Sequence, residues 1–335
     1  MYRLWVRPSA TTGRGGNAMD WTVLLDPFTT FQLPLAEWAN DSMRWITKNY
    51  RFVFQAIKAP VKEVLDLVED GLRGAPQSLI VLIFTLFAWQ VANRATGIVT
   101  FLGLIAIGLI GAWDPAMTSF AVLFTAVLIS VIIGLPLGIL CSRVDWVWAV
   151  VRPILDFMQT IPSFTYLVPV ILLFGIGNVP GVIVTVFFAT APLVRLTNLG
   201  LREVRSDLVE AADAFGASPM KRLWSIEIPL ARPTIMTGVN QTVMLSLVMS
   251  VIASMISVAG LGRLVLVGIS QLDIGRAAIG GLGIVLLAII FDRVTQGLGF
   301  TRRDRGDKGI WEQGPIGWLR KKLNKRGTTL PNQSN

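Results

Sequence analysis

The chain has 335 residues, of which 53% are hydrophobic and only 15% charged, and its mean hydropathy is +0.61. A soluble domain needs more charge than this to cover its surface, so the composition argues against an ordinary soluble fold and indicates a membrane protein. The net charge of +9 would favour nucleic-acid binding in a soluble protein, but here it fits Lys and Arg held on the cytoplasmic side of a bilayer.

The residues that most often carry catalytic and metal chemistry are missing. The chain has no histidine, and Cys141 is its single cysteine. This removes the commonest general base, the Ser-His-Asp arrangement, His-ligated zinc, Cys-based metal sites and any internal disulfide. These absences do not exclude every enzyme, but they remove the usual ones, and we expect no catalytic residue, metal ligand or cofactor-binding residue in this chain.

An N-terminal extension, residues 1–75, is predicted to carry one amphipathic helix. Within residues 52–72, apolar side chains recur at helical spacing: Phe54, Ile57, Val61, Val64, Leu65 and Val68. Such a helix can lie in the bilayer interface and lead into the first span. It can equally be a soluble helix that packs on the protein's own outer face, and the pattern does not decide between the two.

The next part of the chain, residues 76–300, is predicted to be the transmembrane domain. A spanning helix needs about 20 mostly apolar residues. Runs without charge, divided by the turn-forming residues 175–181, predict about seven spans. These cover residues 74–93, 95–113, 115–142, 147–174, 182–199, 233–258 and 277–291. The predicted fold class is therefore an all-α polytopic membrane protein.

Charges in the loops predict the orientation of the bundle. Arg94 and Arg143 lie in two short loops on one side, whereas the loops at residues 114–117 and 175–181 carry no Lys or Arg. The side that carries Arg94 and Arg143 is therefore predicted to be cytoplasmic. The basic tail, residues 301–335, is then cytoplasmic as well, and the N-terminus is periplasmic.

A polar segment at residues 203–232, on the same cytoplasmic side, is predicted to form two short helices joined by a turn. The first carries Glu210 near its N-terminus, where a negative charge is favourable, and Ser206 or Asp207 can cap it. Gly216 suits the left-handed conformation that ends a helix. The segment therefore has clear start and stop signals for its first helix.

The second helix is predicted to begin at Pro219, because Ser218 can cap it and proline favours the first helical position. Apolar side chains on both helices would form a small knob that suits a groove on a partner. They are Leu208, Ala211, Ala212 and Phe215 in the first helix and Met220, Leu223 and Trp224 in the second. An ordinary amphipathic connector would show similar apolar faces.

The order of residues in this segment resembles the EAA loop, E-A-A-x3-G-x9-I-x-L-P, of bacterial ABC-transporter permeases. The matching residues are Glu210, Ala211, Ala212, Gly216, Ile226 and Pro229, while Ile228 stands where leucine is usual. Further stretches resemble the permeases of osmoprotectant importers for glycine betaine and proline betaine, namely residues 151–160, 173–181, 238–242, 250–256 and 260–262. Closely related permeases carry choline or other quaternary amines, so the resemblance leaves the solute open.

This resemblance implies the MetI-like permease core of a type I importer, a transporter subunit without enzymatic activity. It also implies an inner-membrane complex of two permease copies, two ATPase subunits and a periplasmic substrate-binding protein. ATP and Mg²⁺ would bind to the ATPase, since this chain has no G-x4-G-K-[ST] phosphate loop. The EAA segment would contact that ATPase through Phe215, Met220, Leu223 and Trp224. A rival of another class is a self-sufficient secondary carrier or channel driven by an ion gradient.

Polar side chains in the spans are candidates for the translocation path, where weak polar contacts let a solute pass. Asp156 is an intramembrane charge and thus a functional candidate, although an ion pair with Arg152 is a structural alternative. Ser246, Ser250 and Ser254 recur at four-residue spacing, which suits close helix packing as well as a polar wall. The other candidates are Gln159, Thr160, Asn240 and Gln241.

Overall fold

A computed structural model describes residues 33–299 and 314–315 of the chain. The secondary structure of these residues is helical, and no strand occurs among them. The chain divides into two units, Met1–Asn49 and Tyr50–Asn335. The described helix of the first unit is α1 (Leu35–Asn49), which is amphipathic and buries none of its residues. The predicted basic tail, residues 301–335, lies outside the described residues apart from positions 314 and 315.

The second unit is a bundle of helices. In chain order they are α2 (Arg51–Gly74), α3 (Gln77–Val91), α4 (Arg94–Leu109), α5 (Trp113–Arg143), α6 (Asp145–Thr160), α7 (Leu167–Phe174), α8 (Asn178–Arg202), α9 (Ser206–Ala214), α10 (Pro219–Arg222), α11 (Ile228–Ala253), α12 (Leu261–Gln271) and α13 (Ile274–Gly299). Short 3-10 turns at Ser163–Tyr166 and Ser254–Ile256 precede α7 and follow α11. A π-turn at Leu223–Glu227 joins α10 to α11 without interrupting the helix.

Four helical segments are long and apolar enough to cross a membrane: Trp113–Arg143, Asn178–Arg202, Pro219–Ile256 and Ile274–Gly299. They correspond to the third, fifth, sixth and seventh predicted spans and confirm an all-α polytopic membrane protein. Two bent pairs, α2 with α3 at 114° and α6 with Ser163–Phe174 at 105°, raise the number to six if each pair is one span. The second predicted span is α4, which is apolar but has only 16 residues. The described residues thus contain four to six candidate spans where about seven were predicted.

Proline explains both bends. Pro76 stands between α2 and α3, and Pro162 stands between α6 and the following 3-10 turn. Proline lacks a backbone N–H and disfavours a helical conformation in the residue before it. Ala75 and Ile161, which precede the two prolines, accordingly have extended backbones with ψ of 147° and 134°. A charge-free run shows that a segment is apolar, but it does not show where the helix breaks.

Glycines allow α8 to pack closely against α5 and α11 at the centre of the bundle. A Cβ atom added to Gly138 on α5 would lie 2.6 Å from Thr197 Cβ and 3.0 Å from the carbonyl oxygen of Val194, both on α8. One added to Gly238 on α11 would lie 3.2 Å from Leu193 Cα, also on α8. Small residues at such crossings let two backbones approach, and van der Waals contact then holds membrane helices together.

Replacing Gly138 with alanine is expected to lower the stability of the bundle, since overpacking a tight contact costs about 1–3 kcal/mol. Gly281→Ala is the matched control, because an added Cβ there meets nothing within 4 Å. Both changes gain about 1 kcal/mol of helix propensity, so their difference isolates the contact with α8. The measurement is the melting temperature of the purified proteins in one detergent. Equal melting temperatures for the two variants would contradict this account of the α5–α8 contact.

The amphipathic helix predicted in the N-terminal extension is α2, and it packs at the end of the bundle where α5 begins. The hydroxyl of Thr118 on α5 donates to Glu69 Oε1 on α2 at 2.9 Å. Val61 and Leu65 are buried in a core cluster that also contains Tyr166, Val182, Met249 and Val258. These contacts favour the alternative in which the helix packs on the protein itself.

Candidate coupling surface

Residues 206–229 form a compact elbow, made of α9, a turn at Gly216, α10, the π-turn and the start of α11. Gly216 has a φ of +74°, which glycine adopts without the steric cost of a Cβ atom. Its N–H donates to the carbonyl of Asp213 at 2.9 Å, and the N–H of Ala217 donates to that of Ala212 at 3.0 Å. These two bonds are the Schellman pattern that ends a helix, and they confirm the predicted turn.

The start of α10 is also as predicted. Pro219 occupies its first turn, and Ser218 Oγ accepts a hydrogen bond from the N–H of Lys221 at 3.4 Å. The end of one helix and the start of the next are therefore both set within residues 213–221. Local capping of this kind holds the turn of the elbow in one conformation.

The start of α9 differs from the prediction. The cap position is occupied by Arg205, whose side chain makes no capping bond, and Ser206 is the first helical residue. The carboxylate of Asp207 accepts hydrogen bonds from the Arg205 guanidinium and from the N–H of Leu208. The prediction of Ser206 or Asp207 as the cap is therefore wrong. The hydrogen bond from Arg205 lowers the pKa of the Asp207 carboxyl below its ordinary value.

Three of the predicted contact residues are exposed apolar side chains on the elbow, and together we call them the contact patch. Phe215 is 93% exposed, Met220 65% and Trp224 62%. The indole N–H of Trp224 lies 3.2 Å from the sulfur of Met220, so these two side chains pack together. The patch therefore presents two aromatic rings and a flexible thioether to the surroundings.

The remaining residues of the EAA segment divide between the surface and the interior. Leu223 is only 9% exposed and shares a core cluster with Leu201, Ala231 and Ile235, so it anchors the elbow to α8 and α11 instead of extending the contact patch. Ala212 is buried as well. Glu210, Ala211 and Pro229 are exposed, and Ile226 and Ile228 are half-buried.

A chain of four charged residues, which the sequence reasoning missed, ties the elbow to α5. Glu227 is 4% exposed and binds two guanidinium groups, that of Arg143 at the end of α5 and that of Arg222 at 2.9 Å. Arg222 also donates to both oxygens of Asp213 at 2.9 and 2.6 Å. We call this arrangement the charge chain. An acidic residue inside the apolar run at 226–229 was the signal that could have drawn attention to it.

A second group of polar side chains, the polar cluster, joins α6 to α8. Arg195 donates to Asp156 Oδ1 at 2.6 Å and to Gln159 Oε1 at 2.5 Å. Arg152, the predicted ionic partner of Asp156, lies farther away, with its Nε atom 4.0 Å from Asp156 Oδ2. The hydroxyl of Thr160 donates to the carbonyl of Phe157 in the preceding turn at 3.1 Å. The structure thus brings two of the path candidates, Asp156 and Gln159, together around an arginine, while Thr160 bonds within its own helix.

The other path candidates lie on α11 and, for Ser254, in the 3-10 turn that follows it, and they differ in their surroundings. Ser246 and Ser254 are 0% and 3% exposed, and their hydroxyls donate to carbonyls of their own helical segment. Asn240 donates to Asp292 at 3.3 Å and accepts from the hydroxyl of Thr295 at 2.7 Å, both on α13. Ser250 is half-buried, and Gln241 is exposed.

The described residues contain no cluster of side chains that could bind a metal ion. Within positions 33–299 and 314–315, no three His, Cys, Asp or Glu side chains come close enough together to hold a metal ion. The polar side chains described above instead take part in ion pairs, in hydrogen bonds between helices and, for Thr160, Ser246 and Ser254, in hydrogen bonds to carbonyls of their own helical segment.

Comparison with known proteins agrees with this architecture. The family model described as "Binding-protein-dependent transport system inner membrane component" matches residues 134–302. The glycine betaine/proline betaine transport system permease protein ProW of Escherichia coli (strain K12) is 47% identical over 326 residues, covering 94% of this chain and 92% of that protein. The glycine betaine transport system permease protein OpuAB of Bacillus subtilis (strain 168) is 39% identical over 276 residues, covering 82% of this chain and 98% of that protein.

Among solved structures, a chain of the MetNI methionine ABC transporter in an inward-facing conformation aligns with a TM-score of 0.47 and 24% identity, covering 57% of this chain and 93% of that chain. The alignments with the two permease relatives cover most of each relative's length, and the family model includes the elbow and the helices on either side of it. The chain therefore belongs to the family of binding-protein-dependent transport system inner membrane components, as an ABC-transporter permease of the glycine betaine/proline betaine group.

Proposed function

We propose that this permease imports glycine betaine, proline betaine or a related quaternary amine such as choline, and that its elbow transmits the motion of a partner ATPase. The names and the high identity of the two relatives support the solute class. The absence of a phosphate-loop motif from the sequence supports an energy source on another subunit. The rival of another class, a self-sufficient carrier, would need no such partner.

The exposure of the contact patch is the main observation that supports the coupling role. Phe215, Met220 and Trp224 are exposed on a segment that otherwise carries many charges, including Glu210 and Lys221. Large exposed apolar side chains rimmed by polar groups mark interaction sites, and aromatic residues there carry much of the binding energy. We propose that the contact patch docks into a groove on the ATPase.

The charge chain and the Leu223 cluster would carry movement of the elbow into the membrane helices. Glu227 joins the elbow to Arg143 at the end of α5. Leu223 packs against α8 and α11, and the π-turn continues directly into α11. A push on the contact patch would therefore shift these helices together, because packed elements move as units.

The complete importer would contain two copies of this permease, two ATPase subunits that bind ATP and Mg²⁺, and a periplasmic substrate-binding protein. We place the elbow and the tail at residues 301–335 on the cytoplasmic side of the inner membrane and the N-terminus on the periplasmic side, as the loop charges predict. Residues 1–75 would form the extension, and residues 76–300 would form the transmembrane domain.

The translocation path would run along the polar surfaces that remain accessible in a single chain. Gln241 and Thr160 are exposed and Ser250 is half-buried, so these residues can line a path between two permease copies. The buried hydroxyls of Ser246 and Ser254 suit the packing of α11 better, because they are already bonded to helix carbonyls. Asn240 holds α11 to α13.

Reconstitution into proteoliposomes tests the proposal. Radiolabelled glycine betaine should accumulate only when the permease, its ATPase, its binding protein and ATP are all present, with proline betaine and choline added as competitors. Phe215→Ala and Trp224→Ala should weaken binding of the ATPase by about tenfold or more. Phe52→Ala, which changes an aromatic residue that is 70% exposed on α2, is the matched control. Uptake by the permease alone, driven by an ion gradient, would refute the coupling role.

A further inference from the structure

The polar cluster lies between α6 and α8, on the part of α8 that precedes the elbow. Arg202 at the end of α8 pairs with Asp145 at the start of α6 at 2.6 Å, so the two helices run antiparallel. Arg195 precedes Arg202 by seven residues, which places it about 10 Å along α8 from that end. Since α8 is long and apolar enough to cross a membrane, we expect Arg195 to lie within the span, where charged side chains rarely face lipid.

The charged side chains of the cluster are nevertheless accessible. Asp156 is 55% exposed, Arg152 67% and Arg195 32%. A buried structural ion pair would show lower values. Charges that are exposed within a span face a water-filled cavity or another protein chain, because exposure to lipid costs several kcal/mol.

A broken helix lies directly beside the cluster. Helix α6 ends at Thr160, and the chain bends by 105° before it continues as Ser163–Phe174. Irregular backbone at membrane depth is tolerated where it is buried in protein or lines an aqueous cavity. Secondary transporters build their solute sites at discontinuous helices of this kind, where unwound backbone lines the path. The exposed charges and the helix break together indicate an aqueous path at this point.

We infer that the polar cluster is a transit site for a small zwitterion that carries a carboxylate and a quaternary ammonium, an inference that rests on the proposed importer function. The planar guanidinium of Arg195 matches a carboxylate in bidentate geometry, and Asp156 supplies the opposite charge for the ammonium. The solute replaces one hydrogen-bonded ion pair with two ionic contacts, of which only the contact between its carboxylate and Arg195 includes hydrogen bonds, so no charge is left unpaired during passage. Exchange of this kind gives weak net binding, which a transport path needs.

The test uses the full complex of permease, ATPase and binding protein in proteoliposomes, with radiolabelled glycine betaine as the probe. Arg195→Gln and Asp156→Asn are each expected to lower the maximal uptake rate by about tenfold, because each removes a charge-assisted contact to the passing solute. The ATPase activity stimulated by the liganded binding protein should stay within about twofold of wild type, since the contact patch and the charge chain are unchanged.

Asp145→Asn is the matched control, because it breaks the other ion pair between α6 and α8 at its 88% exposed partner and leaves the bond from Arg202 to the Cys141 carbonyl in place. Its uptake should stay within about twofold of wild type, as expected for an exposed pair. The inference is overturned if Arg195→Gln imports glycine betaine normally, or if Arg195→Gln and Asp145→Asn lose uptake and melting temperature together. A wild-type complex that imports no quaternary amine would overturn the proposed function as well, and this result is distinct from the other two.

Discussion

Replacing Gly216 with valine is expected to abolish uptake while the permease still inserts into the membrane. Gly216 has a φ of +74°, and an added Cβ there would meet no neighbouring atom within 4 Å. The change therefore acts only through the backbone. The left-handed conformation costs about 1–2 kcal/mol for an ordinary L-residue, and a β-branched residue suits it least. Valine should open the turn and displace Phe215 from α10, so the contact patch no longer fits its partner.

Two further substitutions at this position separate the backbone effect from other causes. Asn tolerates the left-handed conformation, so Gly216→Asn should retain most uptake, and Gly216→Ala should be intermediate. The measurement is uptake of radiolabelled glycine betaine per amount of membrane-inserted permease, together with co-purification of the ATPase. Near-normal uptake by Gly216→Val would count against the coupling role of the turn. An inactive Gly216→Asn would show that the side chain, not the backbone conformation, is what the partner excludes.

The turn of the elbow could be predicted because its determinants are local. Gly216, Ser218 and Pro219 act on backbone groups within four residues of themselves, so their positions in the sequence are enough to place the turn. The start of α9 was mispredicted because Arg205, two residues earlier, bonds to the carboxylate of Asp207. A competing side chain two positions away can therefore override a cap preference.

The charge chain and the polar cluster could not be predicted, because their partners are far apart in the sequence. Arg143 and Glu227 are separated by 84 residues, and Asp156 and Arg195 by 39. Sequence spacing favours Arg152, four residues before Asp156, but the fold brings Arg195 closer, at 2.6 Å against 4.0 Å. Helix-periodic spacing identifies neighbours on one helix, whereas packing decides which helices meet.

The apolar pattern predicted most of the helices but not their geometry. Charge-free runs placed the four long spans correctly, because burial in lipid and burial in protein both demand apolar side chains. The same runs did not show that α2 turns away from α3 at Pro76, or that α6 stops before Pro162. In both places one proline, and not the hydropathy of the run, sets the direction of the chain.

Replacing Glu227 with glutamine is expected to lower uptake by at least about tenfold, because removing one partner of a buried ion pair costs about 3–5 kcal/mol. The Glu227 side chain is 5% exposed, and without its charge the guanidinium groups of Arg143 and Arg222 would repel each other. The elbow would then lose its ion pair with α5, while the exposed side chains of the contact patch are unchanged. We therefore expect the ATPase to remain bound and to hydrolyse ATP without driving uptake.

Two variants make this prediction specific to the charge chain. Asp207→Asn breaks an exposed ion pair on the same elbow, and its uptake should stay within about twofold of wild type. Removing both partners, in the double variant Arg143→Gln with Glu227→Gln, should restore part of the uptake, because no unpaired charge then remains between α5 and the elbow. The measurements are uptake, ATP hydrolysis and ATPase co-purification in the reconstituted complex. If Glu227→Gln loses the ATPase together with uptake, the charge chain holds the shape of the elbow and does not transmit its movement.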